Sequence, residues 1–162
     1  MTRSSWPDAL GAFLAAVAPP DKVETWPEVE ALIFNETNSA RRRERRAPFV
    51  WDARAAAAAR LHTEDMLRRR YFKHQSPDGR SVGDRLKRAG AKWTRCAENL
   101  YGQPTLSRFG EKEMRAFGHA AVGAWLKSKG HRQNILAPTL ARLGVGVVSN
   151  DGNVIAVQVF FT

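Results

Sequence analysis

The chain ends in two strand-like runs joined by a short turn, and this pair constrains the fold more than any other feature. Residues 143–148 (LGVGVV) and 154–161 (VIAVQVFF) are rich in the β-branched and aromatic residues that strands favour. The polar segment 149–153 between them (SNDGN) is a hairpin turn signal. Helical patterns precede the hairpin, so the sequence predicts an α+β domain with an antiparallel sheet packed on helices.

The helices are predicted from caps and apolar spacing. One begins at Pro27, and another follows Asp52, a residue suited to accept hydrogen bonds from the first turn. The alanine run 55–59 in that second helix allows close packing against a neighbouring element. A short helix over 82–88, a strand over 96–102 and a long helix over 111–128 complete the prediction.

Residues 1–26 are predicted to be an N-terminal extension, with one domain over 27–162. Two interpretations of the extension stay open. Arg3 and the apolar run 9–18 have the outline of a secretory signal, although Asp8 and Pro19 depart from it. Five apolar residues instead share one helical face, which favours an amphipathic helix. They are Trp6, Leu10, Phe13, Leu14 and Val17.

Composition excludes several classes of protein. The single cysteine, Cys96, rules out an internal disulfide framework, and no run approaches the roughly 20 apolar residues that span a membrane. No P-loop, dinucleotide fingerprint, zinc knuckle or nucleophile elbow occurs. The net charge of +10 is concentrated at 41–46 and 68–70, where arginines are either solvated helix ends or an anion-binding surface.

Three segments carry candidate site residues. Gly130 follows two lysines and predicts a helix stop that delivers His131 into a polar turn over 131–134. His74 lies just before the Ser-Pro-Asp-Gly turn signal, and Glu98 is a carboxylate in an otherwise apolar strand. His62 lies mid-helix without a partner motif and is interpreted as structural.

Taken in order, five segments resemble the CAP superfamily, which groups cysteine-rich secretory proteins, antigen five and plant pathogenesis-related proteins. The resemblance is strongest to the bacterial SCP-like branch and covers residues 27–162. The segments are 61–66 (LHTEDM), 71–80 (YFKHQSPDGR), 97–100 (AENL), 124–136 (AWLKSKGHRQNIL) and 143–146 (LGVG). It implies an α-β-α sandwich with a small antiparallel sheet between helices.

The resemblance also implies a cleft with two histidines and two acidic residues, which in some members binds a divalent metal. Carried over by motif, these positions are His74, Glu98 and His131. The second acid would stand at residue 128, where this chain has Ser128. The remaining three side chains suit zinc or a similar divalent cation, or else form a hydrogen-bonded cluster that shapes the cleft.

Three functions stay open at this stage. The resemblance implies a binding module for a small apolar molecule, a lipid or a cell-envelope polymer, located outside the cytoplasm. A hydrolase would use His74 or His131 as base, Glu98 to orient it and Ser128 as nucleophile. Binding of an anionic surface through the arginine-rich helix ends is the third, and no specific nucleic-acid motif occurs.

Overall fold

A computed structural model describes residues 22–104 and 109–162. Its helices are α1 (Pro27–Arg43), α2 (Ala53–Arg69), α3 (Val82–Arg88), α4 (Glu111–Lys127) and α5 (Lys129–Leu136). Its strands are β1 (Glu24–Thr25), β2 (Val50–Trp51), β3 (Cys96–Pro104), β4 (Arg142–Ser149) and β5 (Asn153–Phe161). The two interpretations of the N-terminal segment fall largely on residues 1–21, which lie outside the described residues.

The predicted hairpin forms the centre of one five-stranded sheet. Strand β5 lies between β4 and β3 and pairs antiparallel with both, and β1 pairs antiparallel with the outer side of β4. All nine residues of β5 are buried. The short β2 also pairs with β4, and this pairing is parallel, an exception to the predicted antiparallel sheet.

Helices cover both faces of the sheet, which confirms the α-β-α sandwich. Side chains alternate along β5, so that Val157 and Phe161 pack with α2 and α3 while Ala156 and Phe160 pack with α1, α4 and α5. The sheet therefore separates two apolar cores.

Helix α2 lies unusually close to the sheet, as the alanine run predicts. A Cβ atom added to Gly144 of β4 would lie 2.0 Å from the backbone nitrogen of Ala56. One added to Gly146 would lie 2.5 Å from the backbone nitrogen of Arg60. Glycine in the strand and alanine in the helix together permit this approach, because neither places a bulky side chain between the two backbones.

Asp52 caps α2 as predicted, and its side chain accepts hydrogen bonds from the backbone N–H groups of Arg54 and Ala55 at 2.9 and 3.3 Å. Helix α3 begins with a capping box in which Ser81 and Asp84 satisfy each other's backbone N–H groups. These caps fix where the two helices begin and hence which of their side chains face the sheet.

The predicted helix stop at Gly130 is wrong. The chain bends at Ser128, whose φ of −90° and ψ of 123° are extended, and α5 starts directly afterwards with Gly130 and His131 inside it. Gly130 is not among the glycines with positive φ, which in the described residues are Gly79 and Gly90. The polar segment 131–134 is therefore helical rather than a turn.

Candidate functional site

Glu98 is the centre of the candidate site. Its carboxylate is 6% exposed and lies on β3, with one oxygen directed to each of two cationic or imidazole groups. The Nδ1 of His74 donates to Oε1 at 2.9 Å, and Nη2 of Arg85 donates to Oε2 at 2.8 Å. Because an ionised carboxylate only accepts hydrogen bonds, the proton of neutral His74 is on Nδ1 and its Nε2 carries the lone pair.

Arg85 organises the segment that carries His74. It projects from α3 and is 7% exposed. Besides Glu98, its guanidinium donates to the backbone carbonyls of His74 at 2.9 Å and of Arg80 at 3.2 Å. One buried side chain thus holds both ends of the segment 74–80 against the strand, which positions the exposed His74 ring.

His62 lies beside this group and is structural, in agreement with its assignment from sequence. It is 1% exposed, and its Nε2 donates to the carbonyl of Lys73 at 2.9 Å. Its Nε2 is 3.9 Å from Oε1 of Glu98, beyond hydrogen-bonding distance. Burial lowers the pKa of His62 to about 4, so the ring is neutral at physiological pH.

His131 lies on α5, and its ring is near enough to His74 for a charge on one ring to affect the other. Burial of the ring and the neighbouring His74 lower the pKa of His131, so it too is neutral near pH 7. Its backbone carbonyl accepts a hydrogen bond from Nδ2 of Asn99 at 3.2 Å. The structure therefore places His74 in direct contact with Glu98, and it places His131 near His74.

A buried amide network ties α5 to the sheet. Nδ2 of Asn134 donates to Oδ1 of Asn99 at 2.8 Å, and Nδ2 of Asn99 donates to Oε1 of Gln158 at 3.0 Å. Gln158 in turn donates to the hydroxyl of Thr37 on α1 at 2.8 Å. Asn99 and Gln158 are fully buried, so this network fixes how α5 presents His131.

Ser128 stands where the resemblance implies a second acid. It is half-buried at the bend between α4 and α5, and its backbone N–H bonds the carbonyls of Ala124 and Trp125. Within residues 22–104 and 109–162, no hydrogen bond joins its hydroxyl to a histidine. The contact by which a neighbouring base activates a serine is therefore not formed among these residues.

The donor groups suit an open metal site better than a closed one. In the described part of the chain, no three His, Cys, Asp or Glu side chains are grouped so as to hold a metal ion. Both oxygens of Glu98 already have partners, so Glu98 orients His74, and any cation would depend on the two imidazoles for direct protein ligands. Two imidazoles completed by water fit a weakly held divalent cation.

The sequence alone does not identify Arg85, Asn99 or Gln158, and it places Asn134 in a polar turn rather than in a helix. Arginine in a short polar helix usually faces solvent, and nothing local distinguishes Arg85 from its neighbours. The available signals were Gln158 within the apolar run 154–161 and the Asn-Ile-Leu end of 131–136, since a lone polar residue in a buried strand needs a partner.

The first arginine cluster is partly structural. Arg41 is 2% exposed, donates to the carbonyls of Ile135 and Ala137 at 2.7 and 3.1 Å, and stacks on Phe49. It therefore joins α1 to the end of α5 and is not part of any anion-binding surface.

None of the described helices is long and apolar enough to cross a bilayer.

Comparison with known proteins identifies the family. The sequence profile of the CAP family, described as the cysteine-rich secretory protein family, matches residues 34–160. The Bacillus subtilis protein YkwD is 33% identical over 122 residues, which are 75% of this chain and 43% of YkwD. The chain thus spans less than half of this curated relative.

Solved structures agree with the sequence match. An extracellular SCP-domain protein of Bacillus anthracis superposes with a TM-score of 0.71 at 33% identity, over 83% of this chain and 40% of that one. The structure of NaASP2 with Zn²⁺ superposes with a TM-score of 0.59 at 13% identity, over 88% of this chain and 83% of that one, and this likeness concerns the fold alone. The chain therefore belongs to the CAP family of cysteine-rich secretory proteins.

Proposed function

We propose that the domain is an extracytoplasmic binding module whose cleft takes a divalent cation, zinc by preference, between His74 and His131. The observation that carries the proposal is the 2.9 Å hydrogen bond from Nδ1 of His74 to Glu98. Histidines that bind metal characteristically donate their other ring nitrogen to a carboxylate, which fixes the tautomer and the direction of the ring.

The protonation states support the same role. With its Nδ1 proton held by Glu98, His74 offers the lone pair of Nε2 from a side chain that is 59% exposed. The lowered pKa of His131 keeps its ring neutral at physiological pH, so a cation there does not compete with a proton. Bound zinc would supply a Lewis-acidic anchor for a ligand group.

The relatives supply context for the proposal. NaASP2, which shares the fold, has been crystallised with Zn²⁺, and the B. anthracis relative is extracellular. A small apolar molecule, a lipid or a cell-envelope polymer remains our expectation for the ligand that such a module would bind.

Zinc titration by calorimetry tests the cleft. The wild type is compared with His74→Ala, His131→Ala and the matched control His119→Ala, which removes an exposed histidine on α4 that contacts Glu36. Loss of one of two protein ligands is expected to abolish measurable binding in the first two variants. Glu98→Gln, which removes the orienting carboxylate, is expected to weaken binding by roughly 10–100-fold.

The control separates this cleft from adventitious zinc binding elsewhere. Wild-type stoichiometry of one zinc, retained in His119→Ala and lost in both cleft variants, supports the proposal. If His74→Ala and His131→Ala bind zinc as tightly as the wild type, the cleft is not the metal site.

A further inference from the structure

A second pocket, distinct from the cleft, lies between α2, α3 and the segment 76–80. Its volume is about 170 Å³, roughly the space of five or six water molecules. The lining comprises Leu61, His62, Asp65, Ser76, Arg80, Arg85 and Arg88. Neither His74 nor His131 lines it. This size suits a small acid or a single phosphate group rather than a drug-sized ligand.

The lining carries a net positive charge. It includes three arginines, of which Arg85 is paired with Glu98 at 2.8 Å, and one carboxylate, Asp65, which accepts a hydrogen bond from the hydroxyl of Tyr71 and lies 3.4 Å from Arg69. Arg80 pairs with Asp78 at 3.1 Å, whereas Arg88 is exposed and has no ion pair among the described residues. Arg88 therefore adds an uncompensated positive charge to the pocket.

Arg85 forms the buried wall of the pocket. Arg85 is 7% exposed, and its Nη atoms bind Glu98 and two carbonyls. Its Nε is buried and has no hydrogen-bond partner in the described part of the chain. Because Nε is enclosed, Arg85 contributes positive charge to the wall of the pocket, and direct contacts with an anion fall to the exposed Arg80 and Arg88.

We propose that this pocket binds a small anion through a phosphate or carboxylate group, held by Arg80 and Arg88 with the Arg85 guanidinium in its wall. Planar guanidinium forks match the oxygen geometry of both groups. The exposed side chain of Leu61 beside them allows the anion to carry a short apolar substituent. The inference does not depend on a metal in the His74–His131 cleft.

The test is a titration of the ¹⁵N-labelled full chain with inorganic phosphate in metal-free buffer, followed by amide chemical shifts at constant ionic strength. Arg88→Gln removes the unpaired charge without touching Glu98 or its partners. Lys87→Gln is the matched control, since it removes the same charge from the adjacent exposed position of α3, outside the pocket. Acetate titrated in parallel distinguishes a carboxylate ligand from a phosphate ligand.

We expect saturable shifts around Ser76, Arg80 and Arg88, with affinity about tenfold weaker in Arg88→Gln and within about twofold of wild type in Lys87→Gln. Saturation by acetate rather than by phosphate assigns a carboxylate, and the reverse assigns a phosphate group. Shifts that never saturate with either anion, or equal weakening in both variants, overturn the proposal. Zinc binding by the cleft is measured in a separate titration, and its result does not affect the result of this one.

Discussion

Substitution of Glu98 by glutamine tests the centre of the site most directly. Glu98 and Arg85 are 6% and 7% exposed, and they are joined at 2.8 Å, so the pair is buried. Removing one partner of a buried ion pair leaves the other charge uncompensated and costs about 3–5 kcal/mol. Glutamine keeps the shape and one acceptor oxygen, so we expect the low end, about 3 kcal/mol.

The measurement is urea unfolding followed by tryptophan fluorescence. A domain with about 5–15 kcal/mol of stability remains folded after such a loss. For a domain of this size, about 3 kcal/mol corresponds to a decrease in Tm of roughly 6–12 °C. The control is Glu64→Gln, which removes a carboxylate on α2 that lies 3.8 Å from the exposed Arg68. Surface pairs contribute little, so the control should change stability by at most about 1 kcal/mol.

A double variant shows whether the loss of stability in Glu98→Gln comes from the uncompensated charge of Arg85. Arg85→Met combined with Glu98→Gln removes the cation as well, and we expect it to recover at least about 1 kcal/mol relative to the sum of the single variants. A loss below about 1 kcal/mol in Glu98→Gln, or strictly additive single effects, would refute the view that a buried ion pair organises the site.

Two further predictions concern the pH dependence and the packing. The pKa of His62 falls from 6.5 to about 4 on folding, so the unfolded chain binds more protons and stability decreases as pH falls from about 6.5 to about 4. The full effect is about 3 kcal/mol. In urea unfolding at several pH values, His62→Gln should flatten this dependence of stability on pH. An unchanged pH dependence in His62→Gln, or an equal change in His119→Gln, contradicts the assignment to His62. Gly144→Ala should lower the free energy of unfolding by about 1–3 kcal/mol, because its Cβ would lie 2.0 Å from the backbone nitrogen of Ala56. Gly123→Ala in α4, where the added Cβ meets nothing within 4 Å, should instead raise it by up to about 1 kcal/mol, and equal effects of the two would refute the close α2–β4 approach.

Much of the fold could be predicted because its signals are local. The hairpin, the Asp52 cap and the alanine run each depend on a few adjacent residues, and the structure contains all three. His74 and Glu98 were paired through ordered motifs, and the structure places them in contact. Two of the three predicted site residues thus meet directly.

The remainder depends on tertiary contacts that no local pattern encodes. Arg85 reaches Glu98 only because α3 packs beside β3. Gly130 was interpreted as a helix stop since glycine commonly ends helices after lysines. Asn134 explains why the chain is helical there instead: its amide bonds Asn99 and the backbone carbonyl of Glu98, contacts that only an ordered α5 places on the sheet.

The geometry also changes the meaning of the missing acid at Ser128. With Ser128 in place of the second acid, the candidate site has one carboxylate fewer than the resemblance implies. In the structure, one oxygen of Glu98 accepts a hydrogen bond from His74 and the other accepts one from Arg85, so neither oxygen is free for a cation. The positive charge of the Arg85 guanidinium also opposes a second positive charge beside it. Affinity would therefore depend mainly on the imidazoles. Because the pKa of His131 is lowered, protons would displace a cation bound to that ring only below the pH at which they titrate an ordinary histidine.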